Sequence, residues 1–254
     1  GTAQVTPREM TQIGVEALGE SGWQTDAELV SLLLRALKLA NVTQVTLAVA
    51  TVAPLRALLE RSGGSAAWKQ AVLAACHASD FVELANLTDG QALAPAADGQ
   101  GVAPAYAQAV QDLVHVRGGV EAIEEARRIT EPLGCADGLD DLAAVCQEVA
   151  RACPDAHILV DFSALSSFDY YTGIVFEAFS PHLGSSLGSG GRYDHMLAAF
   201  GTERTAAGFA FSLEQAMAAA AGGESVTVKT SATTPETSGT KAKAFATDQP
   251  ATVP

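Results

Sequence analysis

Strand-like segments stand at both ends of this chain, and a long helical stretch separates them. Any sheet must therefore join segments that are far apart in sequence. Near the start, REMTQIGVEALGE alternates: Thr11, Ile13, Val15 and Ala17 share one face, and Met10, Gln12, Gly14 and Glu16 share the other. Thr25 and Glu28 form a capping box, which predicts a helix running through LVSLLLRALKLA. QVTLAVAT reads as a buried strand, and from Ala53 to Pro154 the pattern is helical, punctuated by glycine and proline. HILVDF returns to strand, and FDYYTGIVFEAF continues as a long one. GSSLGSGGRYD reads as a glycine-rich turn leading to a short helix around His195–Phe200. AAGFAFSLEQAMAAAA reads as a strand entering a final helix.

A core over residues 1–222 and a low-complexity tail over 223–254 follow from composition. The tail is rich in Thr, Ser, Ala and Pro, and it lacks the apolar periodicity needed to offset its ordering entropy, so it is expected to be disordered. With 48% hydrophobic residues, the chain can bury a sizeable core. It contains no apolar run of membrane-spanning length and no signal-like start, so a cytoplasmic location is expected. The net charge is −14, which repels phosphate backbones and argues against nucleic-acid binding. A basic partner or a small ligand suits it better. The four cysteines show no C-x-x-C pair and the histidines no metal-like spacing, so buried reduced thiols are expected and a metal site is not.

Four places carry candidate chemistry. Gln12 and Glu16 lie on one strand face with Gly14 between them. Asp169, Tyr171, Gly173 and Glu177 would share one face of the next long strand, with Tyr170 and Thr172 on the other. Gly188–Asp194 offers backbone that a ligand could approach closely. Gly208–Gln215 is a strand running into a helix. Taken singly, each has an ordinary reading: a solvated strand face, an amphipathic sheet, a plain turn, a strand–helix junction.

In this order, however, the segments resemble the catalytic core of histidyl-tRNA synthetase and its relatives. REMTQIGVEALG is similar to the second half of the family's motif 2, FDYYTGIVFE and GGRYD to its two histidine-specific motifs, and AAGFAFSLEQ to motif 3. The resemblance implies an α+β, class II synthetase-like fold: an antiparallel sheet flanked by helices, with the N-terminal part of the core missing and the first strand short of a neighbour. It also implies a histidine pocket. Glu16 and Tyr171 would hydrogen-bond the imidazole nitrogens, and Gln12 would approach the α-amino group. Tyr170, Tyr193 and the backbone around Gly190 and Gly191 would line the site.

Two departures matter. Ser166 stands where the family has the arginine of an Arg-Gly-Leu-Asp-Tyr-Tyr motif, and Gln215 stands where motif 3 has another arginine. Stabilising developing phosphate charge is a large catalytic term, and losing one donor costs on the order of 10²–10³ in rate. The pattern resembles the regulatory subunit of ATP phosphoribosyltransferase, a synthetase paralogue in histidine biosynthesis. That resemblance implies a non-catalytic, cofactor-free subunit which self-associates, joins a short-form catalytic subunit and takes part in feedback by histidine. The alternatives are a divergent histidyl-tRNA ligase and a histidine-binding pseudo-enzyme with another partner.

Overall fold

A computed structural model describes residues 10–89, 101–164 and 170–222. The tail expected from residue 223 onward lies outside the described residues, and so do Ser166 and Asp169.

The strands are β1 (Gln12–Leu18), β2 (Thr46–Thr51), β3 (Arg117–Gly118), β4 (His157–Asp161), β5 (Ile174–Phe179), β6 (Gly188–Arg192) and β7 (Ala206–Ser212). They form one sheet in the order β1-β7-β6-β5-β2-β4-β3. The chain ends supply β1, β7, β6 and β5, which pair antiparallel. Among the described residues, the one parallel pair is β2 with β4. Those two strands flank the helical stretch, and parallel neighbours need such a crossover. The sheet is therefore mixed rather than wholly antiparallel.

Helix α1 (Trp23–Leu39) follows β1. The stretch between β2 and β4 is helical as the periodicity predicts: α2 (Ala53–Arg61), α3 (Ala66–His77), α4 (Phe81–Thr88), α5 (Pro104–Leu113), α6 (Ala122–Thr130) and α7 (Leu139–Ala152). Helix α8 (Leu213–Ala220) closes the described chain. Leu29, Val30, Leu33 and Leu37 of α1 and Leu142, Val145 and Val149 of α7 recur at helical spacing and are buried. The two helices pack on each other and against one face of the sheet. That face presents Phe209, Phe176, Val49 and Val160, all buried. The other face is built of smaller residues, and one register row across it reads Glu16, Gly208, Gly191, Val175 and Ala50.

Three local expectations change. Helix α1 begins two residues before the capping box: Gly22, with φ 93°, is the N-cap, and Thr25 lies inside the helix. Only a residue tolerant of positive φ can make that entry. The FDYYTGIVFEAF strand begins only at Ile174, so Tyr170 and Tyr171 are not on alternating strand faces. Hydrogen bonds from the Thr172 amide to the Arg192 carbonyl (2.8 Å) and from the Asp194 amide to Thr172 Oγ1 (3.1 Å) hold this segment in a non-strand course. The Gly188–Arg192 part of the glycine-rich turn is instead strand β6. Its glycines permit close sheet packing: a Cβ on Gly190 would lie 2.6 Å from the Phe176 ring and 2.7 Å from Phe209 Cβ. Gly190 thus faces the core rather than the open face.

Candidate functional site

Glu16 projects from β1 onto the open face, where its carboxylate covers the bare position at Gly208. Any Cβ at 208 would collide with it. Tyr193 follows directly on β6, and its hydroxyl donates to Glu16 Oε2. Its own amide is pinned to the Ala206 carbonyl at 2.7 Å. Tyr171 lies across Gly191, where a Cβ would come within 2.6 Å of the ring.

The tyrosine rings gather beside the carboxylate. Tyr170 and Tyr171 lie 4.7 Å apart at 49°, Tyr170 meets Tyr193 edge-on at 5.6 Å, and Tyr171 and Tyr193 are 6.4 Å apart. Tyr171 and Tyr193 are buried, and Tyr170 is partly exposed. Burial pushes the Tyr171 phenol well above its ordinary pKa, and Tyr170, Tyr193 and Glu16 push it further. Burial and then the Glu16 contact raise Tyr193 likewise. Both phenols are therefore neutral hydrogen-bonding groups near neutral pH.

Gln12 shares the Glu16 face but pairs with Ser212 at the α8 end of β1. Four residues of strand separate it from Glu16 by about 13 Å, so it does not join the tyrosine cluster. Of the residues singled out in sequence, Glu16, Tyr170, Tyr171, Gly191 and Tyr193 come together. Gly190 faces away, and Gln12 stands apart along the same strand.

At that far end, Gln215 lies in the first turn of α8. Ser212 caps the helix by accepting from the Gln215 amide at 3.3 Å, and the Gln215 side chain donates to Ser185 Oγ at 3.2 Å. Glu214 accepts from the Thr11 amide at 2.9 Å, which lowers its pKa. The α8 end is thus organised by an amide, hydroxyls and a carboxylate.

Sequence reasoning passed over Arg192 and Asp26. They form a buried ion pair, with Arg192 Nη2 2.7 Å from Asp26 Oδ1. Burial opposes the guanidinium charge, but Asp26 and then Asp194 outweigh it and raise the Arg192 pKa. The available signal was a carboxylate on the apolar stripe of α1 and a cation among the glycines of β6.

The sequence model described as Histidyl-tRNA synthetase matches residues 2–216. The chain belongs to that family. It is 32% identical over 208 residues to a protein from Saccharophagus degradans named ATP phosphoribosyltransferase regulatory subunit, covering 81% of this chain and 50% of that protein. A Stutzerimonas stutzeri protein of the same name is 33% identical over 214 residues, covering 84% and 51%. The chain thus spans about half the length of these curated relatives. Among solved structures, one from Bacillus halodurans titled as an ATP phosphoribosyltransferase regulatory subunit/histidyl-tRNA synthetase superposes with a TM-score of 0.72 at 26% identity, covering 85% of this chain and 55% of that one. The class II synthetase-like fold expected from the motifs is therefore the fold of this chain. Among the described residues, no helix is long and apolar enough to cross a membrane.

Proposed function

We propose that this chain is the synthetase-like part of a non-catalytic regulatory subunit of ATP phosphoribosyltransferase. It acts with a short-form catalytic subunit in the first step of histidine biosynthesis, binds histidine and takes part in its feedback. One contrast carries the reading. The carboxylate and hydroxyls suited to an imidazole are assembled at one end of the open face, whereas Gln215, hydrogen-bonded to Ser185, occupies the position of a phosphate-binding arginine at the other.

In this reading histidine lies along β1 with its ring at the Glu16 end. An imidazole presents one donor and one acceptor. Glu16 accepts from the ring N–H, and a tyrosine hydroxyl donates to the bare nitrogen. The α-amino group points along the strand toward Gln12. The Tyr193 hydroxyl, which donates to Glu16, must share or release the carboxylate when the ring enters. Without an arginine at 215, and with Ser166 in the other arginine position, bound histidine is read without being activated. The relatives' shared name supports the regulatory role, and the chain's acidity favours a basic partner surface.

The test is reconstitution. The full-length protein should co-elute with a short-form catalytic subunit, raise its rate and confer inhibition by histidine. Failure to co-elute, with no rate change at saturating protein, would reject the role.

A further inference from the structure

We infer that Arg192 is the positioning residue of the pocket: it locks the backbone on both sides of Tyr193 and the loop that follows Glu16, and so sets the geometry between the carboxylate and the tyrosines. The inference rests on the histidine-pocket reading for its ligand but not for its geometry.

Arg192 uses all the directions of its guanidinium fork. Nε donates to Asp26 Oδ1 and Oδ2 at 3.0 and 3.1 Å. Nη2 donates to Asp26 Oδ1 at 2.7 Å and to the Gly22 carbonyl at 3.3 Å. Nη1 donates to the Glu20 carbonyl at 3.2 Å and to Asp194 Oδ1 at 3.1 Å. Glu20 and Gly22 belong to the connection between β1 and α1, so the fork ties down the chain just beyond Glu16.

The same residue holds the tyrosines through its backbone. Its carbonyl accepts from the amide of Thr172, the residue after Tyr171. Its neighbour Asp194 accepts from the Ala206 amide at 3.2 Å. Side chains alternate along extended chain. With Arg192 and Asp194 both fixed on one side, Tyr193 has only the other side, and that side holds Glu16. Gly173 is part of the device, because a Cβ there would sit 3.2 Å from Arg192 Cδ. No shorter or non-planar cation can serve all these acceptors at once.

The test compares wild type with Arg192→Lys, which keeps the charge but loses the fork. A 270 Å³ cavity bordered by Asp26, Thr172, Gly173 and Arg192 gives the lysine and a water room to settle. Asp26→Asn, which keeps its volume, is the second variant if Arg192→Lys misfolds. The first readout needs no ligand: the tyrosine-ring NMR signal of Tyr193 in the full chain, with and without Glu16→Gln. In wild type, Glu16→Gln should shift the Tyr193 signal; in the Arg192→Lys background it should not. The second readout is calorimetric titration with histidine and with 1-methylhistidine, which is blocked at one ring nitrogen. Loosening a site by about 1 Å weakens its recognition, so Arg192→Lys should cost about tenfold in histidine affinity and narrow the preference for histidine. A Tyr193 signal that still responds fully to Glu16→Gln in Arg192→Lys overturns the inference, whether or not histidine binds. If wild type ignores histidine while the NMR coupling behaves as stated, the positioning role stands and the choice of ligand falls.

Discussion

The two ends of β1 present opposite chemistry on the same sheet face. At the Glu16 end, three tyrosines and a carboxylate are pressed together over Gly191 and Gly208 and braced from behind by a buried arginine. At the Gln12 end, the start of α8 offers an amide, two serines and a carboxylate. Holding a neutral ring calls for oriented dipoles and one acceptor, while stabilising the charge that develops on phosphate as an acyl-phosphate anhydride forms calls for fixed positive charge. The Glu16 end presents groups of the first kind, and position 215 carries an uncharged amide. In the proposed reading, one fold keeps the recognition half of a reaction without the half that performs it.

The largest effect tests whether the α8 end has truly lost its chemistry. The protein should show no histidine-dependent ATP–pyrophosphate exchange. With two arginine positions changed, the shortfall per position is on the order of 10²–10³. Robust exchange from a contaminant-free sample would erase the contrast and favour the ligase reading.

Next comes the brace. Asp26→Ala leaves Arg192 buried without its main partner, and breaking such a pair costs about 3–5 kcal/mol. Denaturant unfolding should show this loss, whereas Gln215→Ala, at a partly exposed position with one side-chain hydrogen bond, should cost about 1 kcal/mol or less. Equal costs would mean that the two ends are not differently built.

The ends should also titrate at opposite extremes. Tyr171 and Tyr193 have raised pKa values. Their contribution to stability is complete below the unfolded phenol pKa of about 10 and is lost as pH climbs beyond it. Ultraviolet titration should therefore find two of the four tyrosines resisting ionisation above pH ~10. Glu214 has a lowered pKa, so its hold on the Thr11 amide persists above the unfolded carboxyl pKa of about 4.3 and fades as pH falls. Faster hydrogen exchange at Thr11 below that pH, relative to its intrinsic rate, checks it.

The smallest expected effect is Ser166→Ala. It should leave histidine affinity unchanged within error if that position carries no role, and a tenfold loss would show that the serine has acquired one.

Most elements were legible in the sequence because their periodicities are undisturbed. The alternation around Gln12 and Glu16, the apolar stripe of α1 and the helical stretch before Pro154 all reflect local rules. What escaped depended on contacts between distant residues. Arg192 and Asp26 are 166 positions apart, so nothing near either one shows that they pair. That pair's surroundings also explain why FDYYTGIVFEAF is strand only from Ile174: Thr172 is drawn to the Arg192 carbonyl and Asp194 amide. GSGGR reads as a turn by composition, yet it is strand because neighbouring backbones and rings occupy the space where its side chains would be. The motifs named the tyrosines and the carboxylate that the fold brings together, but not that Gly190 faces the core or that Gln12 stands apart from the rings.

The central claim is that the Glu16 end reads histidine. Calorimetric titration of histidine into the complex with the catalytic subunit, for wild type and Glu16→Gln, tests it most directly. A charge-assisted hydrogen bond is worth about 1.5–3 kcal/mol, so the amide should weaken binding roughly ten- to a hundredfold while leaving the fold intact. Equal affinity in the two proteins would contradict the account. The pocket would then be only an inherited shape, and any feedback by histidine would have to act elsewhere.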